Sequence, residues 1–335
     1  MGFFGNTKSP PVSCPSCRLE EEARLLSDPR LNGRAPGSEG HRETAEYLLG
    51  RMRDLCLQPL FKEGFGQEIY GAARVAGRNL CGFLPGRTDR KILICAHYDH
   101  FAGIPGADDN AAALAIALEA ARRLNPWTGQ ASLVFCFFDL EEPPNFLTPT
   151  MGSNFFAANC PFDLSEIVCA IVMDLCGHDV PIAGAENVLF AMGGEYRRFV
   201  LEAVEKASTE ALPVLPVRND RVGDLSDHHA FRVRGVPFLF LSCGWWEHYH
   251  KQTDSFEKLN LGKMRNIAEA LVALVRQFDG LPFGAGAGWD APDDFGRYEA
   301  RSAGRLLGER IATEETALQE ATTRIVGMLM GGAAR

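Results

Sequence analysis

The sequence predicts an α/β fold: a three-layer α/β/α sandwich with a mostly parallel central sheet, helices on both faces, and a helical C-terminal tail. Three observations predict it. Short, continuously apolar runs at residues 92–96 (I-L-I-C-A), 132–138 (S-L-V-F-C-F-F) and 167–173 (I-V-C-A-I-V-M) read as strands buried on both faces. They alternate with segments of helical length and spacing, the pattern of a parallel sheet. Each run also stops at polar groups: His97 and Asp99; Asp139, Glu141 and Glu142; Asp174. In such sheets the crevice beyond the strand ends is where ligands bind.

Taken in order, residues 1–18 are expected to form a flexible N-terminus, 19–279 a single α/β domain that carries the strand-end polar groups, and 280–335 a Gly-rich connector with a helical tail. A helix is predicted over 39–55, where Ala45, Leu48, Leu49, Met52, Leu55 and Cys56 recur on one face. Residues 57–79 are short and mixed, and 79–85 reads as a strand leading into the run 92–96. A loop containing Gly103, Pro105 and Gly106 then delivers Asp108, Asp109 and Asn110 to the start of an Ala/Leu-rich helix ending near Leu124. Acidic residues suit that position because the unpaired amides of a helix N-terminus favour negative charge. A Pro/Thr loop at 143–151 precedes a helix over 152–158. Strands at 187–192 and 236–241 and helices at 195–208 and 261–278 follow. After the connector 280–296, a sparse apolar line at Leu307, Ile311, Leu318, Ile325 and Leu329 reads as a helix lying back on the domain, with a homodimer seam as the alternative.

Composition narrows the function. The chain has 335 residues, 46% apolar and 23% charged, which is ordinary globular usage. A net charge of −9 without a Lys/Arg cluster disfavours a nucleic-acid or anionic-membrane partner. No uninterrupted apolar run is long enough to span a membrane, and the N-terminus lacks the apolar core of a secretory signal, so a cytoplasmic location is expected. The ten cysteines agree: Cys95, Cys136 and Cys169 fall inside strand-like runs, as free buried thiols do. Cys14 and Cys17 form a lone C-x-x-C without the second pair a zinc ribbon needs.

The strand ends suggest a metal. His97, Asp109, Glu142 and Asp174, joined by His248 or His250 from W-W-E-H-Y-H-K-Q-T-D, would give the mixed nitrogen and oxygen ligation that suits zinc or another first-row dication. Asp227, His228 and His229 follow Ser226, where they can cap or begin a short helix.

The pieces H-Y-D-H, P-G-A-D-D-N, F-D-L-E-E, M-G-S, V-M-D-L, S-D-H-H-A-F and Y-H-K-Q-T-D occur in the order seen in the co-catalytic zinc exopeptidases. That family includes bacterial leucyl aminopeptidase, aminopeptidase Y and, more distantly, glutaminyl cyclase. The chain resembles it over about residues 31–278, including the opening segment L-N-G-R-A-P-G-S-E-G. The resemblance implies two zinc ions per chain: one held by His97 and Asp174, the other by Glu142 and His250, with Asp109 bridging both. It implies that Asp99 fixes the His97 ring, that Glu141 is the catalytic carboxylate, and that the Asp109-Asn110 peptide is cis. Charge agrees with the pair, since two dications balance three carboxylates and a bridging hydroxide.

The implied activity is removal of the N-terminal residue of a peptide with a free amino group, Glu141 acting as base and then acid. Trp245, Trp246, Tyr249, Phe146 and Met151 are candidates for the pocket of the first side chain. Two features depart from the family: the loop 143–151 is long, and His100 and His229 have no firm family counterpart; hydrogen-bonding roles are expected for both, with adventitious metal binding as the alternative. The rival functions are a single-zinc glutaminyl cyclase, a binding protein without turnover, and a carboxypeptidase using Arg218, Arg221 or Arg232.

Overall fold

In the computed structural model, which describes residues 15–71, 75–282, 291–292, 294–307 and 327, the three apolar runs lie side by side in one mixed sheet. The chain begins with α1 (Pro15–Leu26) and α2 (Glu39–Asp54), then forms an antiparallel flank of β1 (Gln58–Pro59), β2 (Gly66–Tyr70) and β3 (Val75–Leu84). Next come β4 (Lys91–His97), α3 (Ala113–Leu124), β5 (Ser132–Phe138), α4 (Gly152–Ala158) and β6 (Ile167–Met173). The chain continues through β7 (Leu189–Met192), α5 (Arg198–Ala207), β8 (Val214–Val217), α6 (Asn219–Val222), α7 (His228–Arg232), β9 (Phe238–Ser242), α8 (Leu261–Asp279) and α9 (Phe295–Leu307).

The strand order is β1-β3-β5-β4-β6-β9-β7-β8, with β2 on β3. β5, β4, β6 and β9 are parallel, and β7 turns antiparallel to β9. Every residue of β5, β6 and β9 is buried, as layers on both faces require. α3 is buried almost throughout and packs against α1 and α8. α2 starts where Ser38 accepts from the His41 amide, and it buries Leu48, Leu49 and Met52 on one face. A membrane-crossing helix is absent among the described residues.

Several elements differ from the sequence reading. α1 reaches back to Pro15, so the boundary expected after residue 18 falls inside a helix; its Leu19, Ala23 and Leu26 are fully buried. Cys14 and the Cys17 side chain lie outside the described residues. β1, β2 and β8 occupy stretches the sequence left unassigned. In the tail, α9 packs on β8 with Phe295 buried, and Glu299 accepts from the Arg218 amide at 3.2 Å. This first part of the tail therefore lies back on the sheet edge. Ile311, Leu318, Ile325 and Leu329 fall outside the described residues.

Candidate metal centre

β4, β5 and β6 end together, and that alignment assembles the polar groups. The register pairs His97 with Phe138 and Cys95 with Val172, so the residues following β5 and β6 emerge beside His97. Leu140 (φ 60), Leu175 (φ 53) and His250 (φ 55) are left-handed, a conformation that strains a side-chain-bearing residue. They turn the chain sharply next to Glu141, next to Asp174 and at His250 itself, which is where such strain is usually found.

Asp109 arrives from the loop before α3, and its backbone is held from two sides. Arg34, fully buried, directs all five donors to backbone carbonyls: Tyr98 (2.9 Å), Leu26 (2.8 Å), Pro105 (2.7 Å), Gly106 (3.0 Å) and Asp109 (3.0 Å). From the other side, Asp254 accepts from the Asp108 amide at 2.9 Å and the Asp109 amide at 3.2 Å. A Cβ at Gly106 (φ +58) would collide with the Asp109 carbonyl and the His100 ring, so glycine is required there. The Asp109-Asn110 peptide is cis.

The two Asp109 oxygens face different partners. Oδ1 lies 3.2 Å from His97 Nε2, which is 3.5 Å from Asp174 Oδ1 and 3.9 Å from Glu141 Oε2. Oδ2 lies 3.1 Å from His250 Nε2, which is 3.4 Å from Glu142 Oε2. His97 Nε2, Asp174 Oδ1 and His250 Nε2 are buried without an aligned hydrogen bond. Two ligands on one tetrahedral dication are roughly 3.3 Å apart, so the spacing and the orphaned atoms together fit a pair of such ions.

Electrostatics also favours cations here. Burial alone would lower His250, but its contacts with Asp109 and Glu142 outweigh this and push it up to about 10. His97 is likewise raised, burial being overcome by Glu141, Asp174 and Asp109. Burial would raise Asp99, yet His97 and then the amides of Glu142 and Glu141 hold it below the usual carboxylate range; its oxygens accept from those two amides, each at 3.1 Å. Asp99 thus orients the residues after β5 as well as the His97 ring, whose Nδ1 is 3.2 Å from the Asp99 backbone carbonyl and 3.5 Å from its Oδ1. Burial pushes Glu141 up, opposed by His97 and reinforced by Asp174 and Glu142.

The pattern of peptidase family M28 matches residues 79–275, more than half of the chain. The chain belongs to peptidase family M28. This is the zinc-dependent family that the strand-end motifs resemble. A curated relative, the uncharacterized protein YfbL of Escherichia coli strain K12, is 25% identical over 55% of this chain, and the match spans 66% of YfbL, just under two thirds. LapB from Legionella pneumophila superposes with a TM-score of 0.65 at 17% identity, covering 79% of this chain and 72% of LapB. A Zn-dependent exopeptidase from Parabacteroides distasonis gives 0.62 at 16%, covering 77% and 96%. Tannerella forsythia glutaminyl cyclase gives 0.62 at 17%, covering 80% and 99%. At such identities these likenesses establish the fold.

Within this M28 chain the seven predicted site residues, His97, Asp99, Asp109, Glu141, Glu142, Asp174 and His250, converge. His248 does not: its Nδ1 lies 2.9 Å from Thr253 Oγ1. Of the pocket candidates, Met151 is fully buried and Trp246 stacks on His178, so both pack internally, whereas Trp245 is 37% exposed and Phe146 and Tyr249 are half-buried. His229 faces Asp224 at 2.7 Å, the hydrogen-bonding role expected of it. Arg34 and Asp254 lie inside recognisable motifs, yet the sequence assigns them no role. They act on backbone carbonyls and amides, which side-chain spacing does not reveal.

Proposed function

We propose that this chain is a di-zinc aminopeptidase, hydrolysing the bond after the N-terminal residue of a peptide with a free amino group. One observation carries the reading: the two oxygens of Asp109 face separate donor pairs, Asp174 with His97 and Glu142 with His250. Dications held there would acidify a water and polarise the scissile carbonyl.

The remaining steps fall to the chain's own residues. Glu141 sits on the Asp174 side, its amide anchored by Asp99, and takes a proton from the attacking water before returning it to the leaving amine. Glu142 cannot share that task, since its oxygens are engaged by His250 and His100. Tyr249 stacks on His250 with ring centroids 3.7 Å apart. Burial and then Asp109, Asp174 and Glu142 keep its phenol protonated, so it can donate to negative charge developing on the substrate oxygen. Trp245, exposed, and Phe146, half-buried, lie on loops beside the strand ends and support a preference for an apolar first residue.

The carboxypeptidase alternative loses its cations: Arg218 pairs with Asp220, Arg232 with Asp224, and Arg221 lies 3.6 Å from Glu299. The test is hydrolysis of leucyl-p-nitroanilide beside its N-acetylated form, before and after chelation. Cleavage of the free-amine substrate alone, lost with chelator and restored by zinc, is the expected result. Equal cleavage of both substrates, or cyclisation of a glutaminyl peptide without hydrolysis, would overturn it.

A further inference from the structure

His100 follows the motif that carries His97 and Asp99, and it is fully buried against the site. Its Nδ1 lies 2.7 Å from Glu142 Oε1 and 3.8 Å from Asp109 Oδ2. It is therefore near enough to Asp109 and Glu142 for all three to reach one ion. The spacing argues against that role. Atoms sharing a tetrahedral dication sit roughly 3.3 Å apart, as His250 Nε2 does from Asp109 Oδ2 (3.1 Å) and Glu142 Oε2 (3.4 Å). The 2.7 Å contact is instead the length of a charge-assisted hydrogen bond, and it falls on the other Glu142 oxygen.

The ring is also fixed in place. Its backbone amide donates to the Arg34 carbonyl at 3.2 Å, Phe101 and His250 meet it edge-on at 5.5 and 5.7 Å, and Gly106 leaves no room for a Cβ beside it. Facing a carboxylate, Nδ1 carries the proton, and Nε2 is the unprotonated nitrogen, buried without a hydrogen-bond partner among the described residues.

We propose that His100 is a positioning residue: its Nδ1–H holds Glu142 Oε1, confines Glu142 to contact with the cation through Oε2, and so sets the affinity of the second metal. The inference rests on the two-metal reading above. Removing a group that orients a ligating carboxylate in this way typically costs about 10- to 100-fold in metal affinity.

The experiment titrates the metal-free full chain with zinc against a competing chelator, for the wild type and for His100→Leu, His100→Asn and His100→Gln, with a parallel cobalt absorption spectrum. An asparagine amide nitrogen falls near the position of Nδ1, whereas a glutamine amide falls near Nε2. The expected result is two sites in the wild type, an unchanged tighter site in all variants, and a second site weakened about tenfold or more in Leu and Gln but within about threefold in Asn. The Asn variant should also keep the wild-type cobalt spectrum. If the Leu variant does not fold, the Asn/Gln pair carries the same contrast. Equal loss in Asn and Gln would make His100 a ligand and overturn the proposal, as would unchanged affinity in every variant. Fewer than two sites in the wild type would instead overturn the two-metal reading itself.

Discussion

Replacing Arg34 with methionine should destabilise the fold out of proportion to one side chain. The guanidinium is fully buried and donates to five carbonyls, those of Leu26, Tyr98, Pro105, Gly106 and Asp109, at 2.7–3.0 Å. Methionine fills similar volume but offers no donor, and each buried carbonyl left without one costs about 1–3 kcal/mol. At the lower end, with relief from burying a charge set against it, the net loss is about 3–5 kcal/mol. That is a large fraction of the ~5–15 kcal/mol of a typical domain. Lysine keeps the charge but has three donors and no planar fork, so it can satisfy at most three carbonyls and should lose about 2 kcal/mol. Urea denaturation followed by circular dichroism measures both. An Arg34→Met variant within about 1 kcal/mol of wild type would refute the reasoning, because a hydrogen bond stabilises by roughly that much on its own.

Three further outcomes are expected. Glu195 is buried and accepts from the Gly193 and Asn219 amides; burial pushes its carboxyl from 4.5 up to about 7. The folded chain thus holds a proton that the unfolded chain has released, so this group's stabilising contribution is full below 4.5 and is lost as pH rises through 7, amounting to about 3 kcal/mol. Wild type should lose stability relative to Glu195→Gln over that window, and parallel curves would contradict it. Asp254→Leu removes the acceptor for the Asp108 and Asp109 amides and should weaken zinc binding about tenfold or more in a chelator titration, with Asp254→Asn between it and wild type. Glu141→Gln should keep zinc content and thermal stability while losing about 10²–10⁴ in turnover; an active Gln variant would sink its assignment as base.

The fold was legible where burial imposes a pattern on consecutive residues. β5 and β6 coincide with the apolar runs 132–138 and 167–173, and α4 matches 152–158, because strands covered on both faces admit little but apolar side chains. α1 is hidden in the sequence since its buried line, Leu19, Ala23 and Leu26, is interrupted by Glu20, Glu21 and Glu22. Glu22 is itself buried, held by Arg51 at 3.1 Å and Arg122 at 2.8 Å. β8 contains Pro216, which marks an edge strand and blurs the strand signal. The antiparallel turn of β7 onto β9 is decided by tertiary pairing, to which local sequence is blind. At the site, residues at the ends of apolar runs announced themselves. Arg34 and Asp254 did not, because what they hold is backbone.

The number of metals this site holds is the most direct test of the two-metal centre. Elemental analysis of the purified chain after equilibration with zinc, beside His250→Ala, measures it. Two ions per wild-type chain and one per variant are expected, the His97, Asp109 and Asp174 set remaining intact. One ion in the wild type, or two in the variant, would contradict it.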